Sequence, residues 1–234
     1  MVNRTSFFGE GLFETFKVEN GKLPPTFELH YERLKEGALF FDIPYPSFGI
    51  FKNFVENRVR FTKNFGRPFY VKVVLFSIGD PYFGGKATDY KLHITVKPFN
   101  PPKGDLVLTI SPFRRHSQNP LWRFKTTNYL FNVLVKKEAT KRGFYDALIL
   151  NEKGNITETS SANFYCLKDG ILITPPLEDG LLPGITRRVL LDKGETIERS
   201  LNLEDLKRCE KFFISNALLG LRKCKVSFED YVEQ

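Results

Sequence analysis

The chain has 234 residues, 41% of them apolar, with 24 Phe and 9 Tyr, enough to fill one large core or two small ones. That composition excludes a disordered tail, and no run reaches the roughly 18 to 20 uninterrupted apolar residues of a membrane span. The net charge of +8 divides as +4 over residues 1–100 and +4 over residues 101–234, which argues against a basic arm or a single nucleic-acid-binding helix.

The N-terminus MVNRTSFFGEG has no signal-peptide core, so a soluble cytoplasmic protein is expected. GLFETFKVENGKL alternates as a strand entering a hairpin, with Asn20-Gly21 as its turn. PTFELHYERLKEGALFF reads as a helix started by Pro25 or Thr26 and stopped by Pro44 and Pro46. FKNFVENRVRFTKNFG is a second amphipathic helix ending at Gly66, and PFYVKVVLFSI and YKLHITVKPF are strands. Residues 1–97 are thus predicted to form an α+β domain. The proline-rich segment PFNPPKGD predicts a linker over 98–105 and a second domain over 106–234.

In that second domain LVLTISPF is a strand. TTNYLFNVLVKKEATKRG is a helix capped by Thr126 or Thr127 and ended by Gly143. DALILN, NITET, ANFYCLK and ILITP are short strands parted by EKGN and KDG turns, predicting a mainly antiparallel sheet. PGITRRVLL opens another helix, with Pro183 near its first turn, and KFFISN is a late strand. Cys166, Cys209 and Cys224 lack CxxC or Cys/His metal spacing, so they are read as buried free thiols with no disulfide framework and no metal site.

Three motifs carry the chemistry. Lys125 stands in WRFKTTNYL, Glu158 in ITETSSANF, and LLPGITRR begins a helix. Residues 106–137 hold Arg114, Arg115, Arg123, Lys125, Lys136 and Lys137 and no acid, a positive field that would favour a carboxylate-bearing substrate and a neutral Lys125. Lys136 and Lys137 complement a helix C-terminus. An amine, a carboxylate and an anion-binding helix start are the parts that pyridoxal phosphate chemistry needs.

In this order, with their flanking residues, the motifs resemble the fold-type IV pyridoxal phosphate enzymes, which include branched-chain and D-amino acid aminotransferases and aminodeoxychorismate lyases. The resemblance runs from about Phe8 to Val226 and implies an α+β, two-domain fold with a small N-terminal domain and a larger C-terminal domain of mainly antiparallel strands. It implies that Lys125 forms the Schiff base and that Glu158 pairs with the pyridine nitrogen. It further implies that the phosphate is held by Arg33 of ELHYERL, by Gly184, Ile185 and Thr186 of LLPGITR, and by Asn216 and Ala217 of FFISNALLG. A homodimer is the implied assembly.

Within the family, Thr15 of GEGLFETF and the NALLG motif resemble the 4-amino-4-deoxychorismate lyases, whereas branched-chain aminotransferases typically carry glycine and GTA at these two places. The expected reaction is conversion of 4-amino-4-deoxychorismate to 4-aminobenzoate and pyruvate, a step of folate biosynthesis, with Thr15 protonating the leaving group. Arg114, Arg115, Arg123 and Tyr129 are the candidate substrate contacts. An aminotransferase of the same fold is the alternative, and a non-catalytic interaction protein a remote one. The chain departs from the family pattern in the short segment before Gly9-Glu10-Gly11 and in the KGET interruption after PGITRR.

Overall fold

In the computed structural model, which describes residues 1–228, the chain divides into Met1–Pro101 with Phe124–Asn128, and Pro102–Arg123 with the residues from Tyr129 onward. The first unit contains β1 (Val2–Asn3), α1 (Arg4–Phe8), β2 (Gly11–Val18), α2 (Phe27–Phe40), α3 (Phe48–Val59), β3 (Phe69–Gly79) and β4 (Ala87–Pro98). Antiparallel β3 pairs with β2 on one side and β4 on the other, and β1 continues the β2 edge at Ile78 and Gly79.

Period-two alternation sorts this sheet into two chemically different faces. Leu12, Phe16 and Val18 of β2 and Val71, Val73 and Leu75 of β3 pack against Phe27, Leu34, Ala38, Phe51, Val55 and Val59 of α2 and α3. The other face carries Phe13, Thr15 and Lys17, in register with Val74, Lys72 and Tyr70, and beyond them His93, Thr95 and Lys97 of β4. The second helix begins earlier than predicted, because the Ser47 side chain accepts the Ile50 N–H and caps it.

The segment holding Lys125 differs from expectation. Thr126 and Thr127 do not cap a helix. The Phe13 N–H donates to the Lys125 carbonyl at 2.9 Å, the Thr127 N–H donates to the Gly11 carbonyl at 2.8 Å, and Leu12 and Thr126 form an antiparallel bridge. The backbone of these residues is committed to the outer edge of β2, so the helix starts only at Leu130, with Tyr129 as its N-cap. Lys125, assigned by sequence to the C-terminal domain, therefore belongs to the first unit.

The second unit contains β5 (Val107–Ile110), α4 (Leu130–Lys141), β6 (Asp146–Leu150), β7 (Ile156–Thr159), β8 (Asn163–Lys168), β9 (Ile171–Thr174), α5 (Ile185–Asp192), β10 (Ile197–Glu198), α6 (Leu203–Leu206), β11 (Lys211–Asn216) and β12 (Gly220–Val226). Its sheet runs β10-β9-β8-β11-β12-β5-β6-β7, and a β7–β8 pairing closes the strands from β8 to β7 on themselves. The ladders are mostly antiparallel; β5–β6, β5–β12 and β9–β10 are parallel. Leu108, Ile110, Leu148, Ile156, Phe164 and Ile214 are buried in its main core, while Val135 and Ala139 of α4 pack on Ala147 and Ile149 of β6.

The reading of three free thiols is corrected here. Cys166 in β8 and Cys209, just before β11, form a disulfide across a sequence separation of 43 residues. Antiparallel pairing of β8 with β11 brings their neighbourhoods together, a proximity that linear spacing cannot report. Cys224 is a buried free thiol whose pKa burial pushes up to about 12. Among the described residues no helix is long and apolar enough to cross a membrane.

Candidate active site

The edge strand formed by residues 124–128 sets where Lys125 points. Its backbone faces Phe13, on the sheet face turned away from the helices, and its Nζ lies 4.5 Å from the Phe13 ring centre. Lys72 reaches the same ring from β3, with Nζ 4.0 Å from the centre. Two amines thus share one aromatic ring. Burial lowers the Lys72 pKa. Thr15 stands opposite Lys72 in the ladder and hydrogen-bonds Tyr70, whose pKa burial raises while that bond opposes the rise.

Glu14 projects from β2 to the helix side, where it meets α2. His30 Nδ1 lies 2.6 Å from Glu14 Oε2, and Arg33 donates from Nε to Oε1 at 2.8 Å and from Nη2 to Oε2 at 2.7 Å. All three side chains are buried. Burial alone would raise the Glu14 pKa, but the Arg33 charge and the His30 contact outweigh it and hold the carboxyl at about 2. The Arg33 guanidinium plane is thus fixed by a buried carboxylate.

In the second unit Glu158 lies in β7, 6% exposed. Its Oε1 accepts from Arg115 Nη1 at 2.6 Å and its Oε2 accepts from Asn163 Nδ2 at 3.1 Å. The same two donors reach the loop that precedes α5: Arg115 Nη1 donates to the Gly180 carbonyl at 3.2 Å, and Asn163 Nδ2 to the Leu182 carbonyl at 2.9 Å. A Cβ added at Gly184 would stand 1.9 Å from Asn163 Oδ1, so only glycine fits this approach. Gly184 is the N-cap of α5, and Ile185 and Thr186 begin the helix, where leading N–H groups have no intrahelical acceptor.

The remaining predicted residues take separate positions. Asn216 Oδ1 accepts the Leu218 and Leu219 N–H groups at 3.0 and 2.9 Å, and its Nδ2 donates to the Ser161 carbonyl at 3.1 Å, so it shapes the turn that contains Ala217. Arg114 and Arg123 are exposed, and Arg114 Nη1 donates to the Asn151 carbonyl at 3.3 Å. Arg115 is buried against Glu158. Sequence reasoning missed Lys72, Tyr70 and Asn163; register opposite Thr15 would have found Lys72 once β2 and β3 were paired.

These residues fit pyridoxal phosphate by chemistry: an amine on an aromatic ring, a buried carboxylate oriented through both oxygens, and a glycine-led helix start whose cap carries no side chain. Comparison with known proteins agrees. A profile of the family described as amino-transferase class IV matches residues 11–226. A Methanocaldococcus jannaschii protein provisionally named a branched-chain-amino-acid aminotransferase is 32% identical over 223 residues, covering 89% of this chain and 75% of the relative. The D-alanine aminotransferase of Listeria monocytogenes is 26% identical over 226 residues, covering 92% and 77%. A crystal structure from Legionella pneumophila, provisionally named a 4-amino-4-deoxychorismate lyase, superposes with a TM-score of 0.89 at 28% identity, covering 99% of this chain and 87% of that one. The chain belongs to the class IV aminotransferase family, whose cofactor is pyridoxal phosphate and whose architecture is that of the fold-type IV enzymes.

Proposed function

We propose that this protein is a pyridoxal phosphate-dependent lyase that converts 4-amino-4-deoxychorismate to 4-aminobenzoate and pyruvate. The observation that carries the reading is the sheet face on which Thr15, Tyr70 and Lys72 accompany Lys125. It supplies a base, a hydroxyl donor and a second cation, which an elimination from a dicarboxylate requires. The likeness to the Legionella pneumophila structure supports the same choice.

When bound, the cofactor would supply an electron sink for proton removal at the amine-bearing carbon. Lys125 removes that proton, and Glu158 holds the ring nitrogen protonated. Gly184, Ile185 and Thr186 hold the phosphate through the helix start, aided by Arg33 and by the turn at Asn216 and Ala217. The bond between the ring carbon and the enolpyruvyl oxygen breaks, Thr15 passes a proton to that oxygen and regains one from solvent, the released enolpyruvate tautomerises to pyruvate, and the substrate ring becomes aromatic. Lys72 meets one substrate carboxylate, with Arg114, Arg123 and Tyr129 as candidates for the other. The enzyme acts as a cytoplasmic homodimer, which sedimentation at assay concentration tests.

The second reading is an aminotransferase, favoured by the names of the relatives from Methanocaldococcus jannaschii and Listeria monocytogenes. Purified protein is incubated with 4-amino-4-deoxychorismate and, separately, with amino acids plus 2-oxoglutarate. Pyruvate released without an amino acceptor supports the lyase; stoichiometric nitrogen transfer with no pyruvate release replaces it with the second reading.

A further inference from the structure

Arg115 was a candidate for holding a substrate carboxylate, but its surroundings suit another task. Its side chain is 1% exposed, and its Nη1 is shared between Glu158 Oε1 and the Gly180 carbonyl. The guanidinium carbon lies 4.7 Å from the Trp122 ring centre and 5.6 Å from that of Phe131, so aromatic faces limit its movement. Its backbone N–H donates to the Leu150 carbonyl at 3.0 Å, fixing the residue at the end of β6. A ligand carboxylate would reach this guanidinium only by entering a space that is closed to solvent, walled by Trp122 and Phe131 and already occupied by the Glu158 carboxylate.

Glu158 gains most from this arrangement. Its side chain has three rotatable bonds, yet Arg115 holds one oxygen and Asn163 the other. Asn163 also ties the carboxylate to the loop leading into α5. On the pyridoxal phosphate reading above, on which this rests, we infer that Arg115 is a positioning residue that acts through Glu158, orienting the carboxylate toward the cofactor's ring nitrogen, and does not bind substrate. Orientation of such a partner changes binding and rate without any direct contact between the orienting side chain and the ligand.

The test uses two ligands that differ at the ring nitrogen: pyridoxal phosphate and its 1-deaza analogue, in which a C–H replaces that nitrogen. Both are titrated into wild-type, Arg115→Lys and Arg115→Gln protein by absorbance, with thermal unfolding of the cofactor-free proteins measured alongside. The expected result is a loss of pyridoxal phosphate affinity on the order of 10- to 100-fold, larger for Gln than for Lys, with affinity for the deaza analogue nearly unchanged. Equal weakening of both ligands assigns Arg115 a merely structural role and overturns the inference, as does unchanged affinity for pyridoxal phosphate. Arg115→Lys retains the buried positive charge and carries the comparison alone if the Gln variant fails to fold. Wild-type protein that binds neither compound overturns the cofactor reading itself, whereas wild type that binds both while the variants behave alike toward them overturns only the role of Arg115.

Discussion

Glu14 grips Arg33 edge-on through two nearly equal hydrogen bonds, Oε1 to Nε at 2.8 Å and Oε2 to Nη2 at 2.7 Å, inside the first unit. Because the folded carboxyl lies at about 2, below its ordinary value of 4.5, its contribution is complete above about pH 4.5 and is lost as pH falls toward 2. The loss is on the order of 3 kcal/mol. Unfolding of cofactor-free protein between pH 2 and 6 should show it, and Glu14→Gln should flatten that limb while lowering stability at pH 7, since Arg33 is left buried without its anion. Parallel pH profiles for the two proteins would remove the pair from the stability account.

Lys125→Ala should abolish the visible absorption of cofactor-loaded protein and its reduction by borohydride. Lys72, on the same Phe13 ring, is the internal control. If a reducible species persists in Lys125→Ala and vanishes in Lys72→Ala, the two amines must exchange roles.

Glu158→Gln should still take up cofactor but slow proton removal by about 10²- to 10³-fold, because an amide cannot stabilise a protonated ring nitrogen as a carboxylate does. Single-turnover kinetics read this directly. Normal rates would exclude Glu158 from the chemistry.

Thr15→Ala separates the two reactions. A well-placed general acid is worth roughly 10²- to 10⁴-fold, so pyruvate formation should drop by about that factor while cofactor affinity and any slow side transamination survive. Its hydrogen bond to Tyr70 makes Tyr70→Phe a companion variant with the same direction of effect. Untouched pyruvate release in Thr15→Ala, or equal damage to both reactions, would make Thr15 structural.

The Cys166–Cys209 bridge predicts that unreduced, denatured protein exposes one titratable thiol, Cys224, and reduced protein three. Closing a loop of 43 residues is worth about 4 kcal/mol in the chain-entropy model. Such bridges are unusual in reducing compartments, so their redox state in protein taken directly from cells also tests the cytoplasmic assignment. Three thiols in unreduced protein would refute the bridge.

How much of this was legible in the sequence depended on the range of the forces involved. The α2 stretch was recognisable from its periodicity and proline stops, and the strands around Glu158 from their turns, because these signals are local. Thr126 and Thr127 misled because a threonine before an apolar helix has the composition of a cap, while its backbone was already paired to β2, a contact across more than a hundred residues. Arg115 was grouped with Arg114 and Arg123 by proximity in the chain, but burial separates them, and burial is a property of the fold. Lys72 gave no signal in a strand rich in β-branched residues until the register put it opposite Thr15.

The return of Phe124–Asn128 to the first unit also constrains the order of events during synthesis. Until residue 128 has been made, the Gly11 carbonyl and the Phe13 N–H lie on an uncovered strand edge. At about 5–20 residues per second, the ribosome leaves that edge open for a few seconds after Pro101 has been added. Open edges invite pairing with other chains, so the nascent N-terminal half is the aggregation-prone species and a fragment cut at the proline-rich linker inherits the same defect. The segment that seals the edge is the one that bears Lys125, the lysine proposed to form the Schiff base, so the first unit is completed by the delivery of that amine.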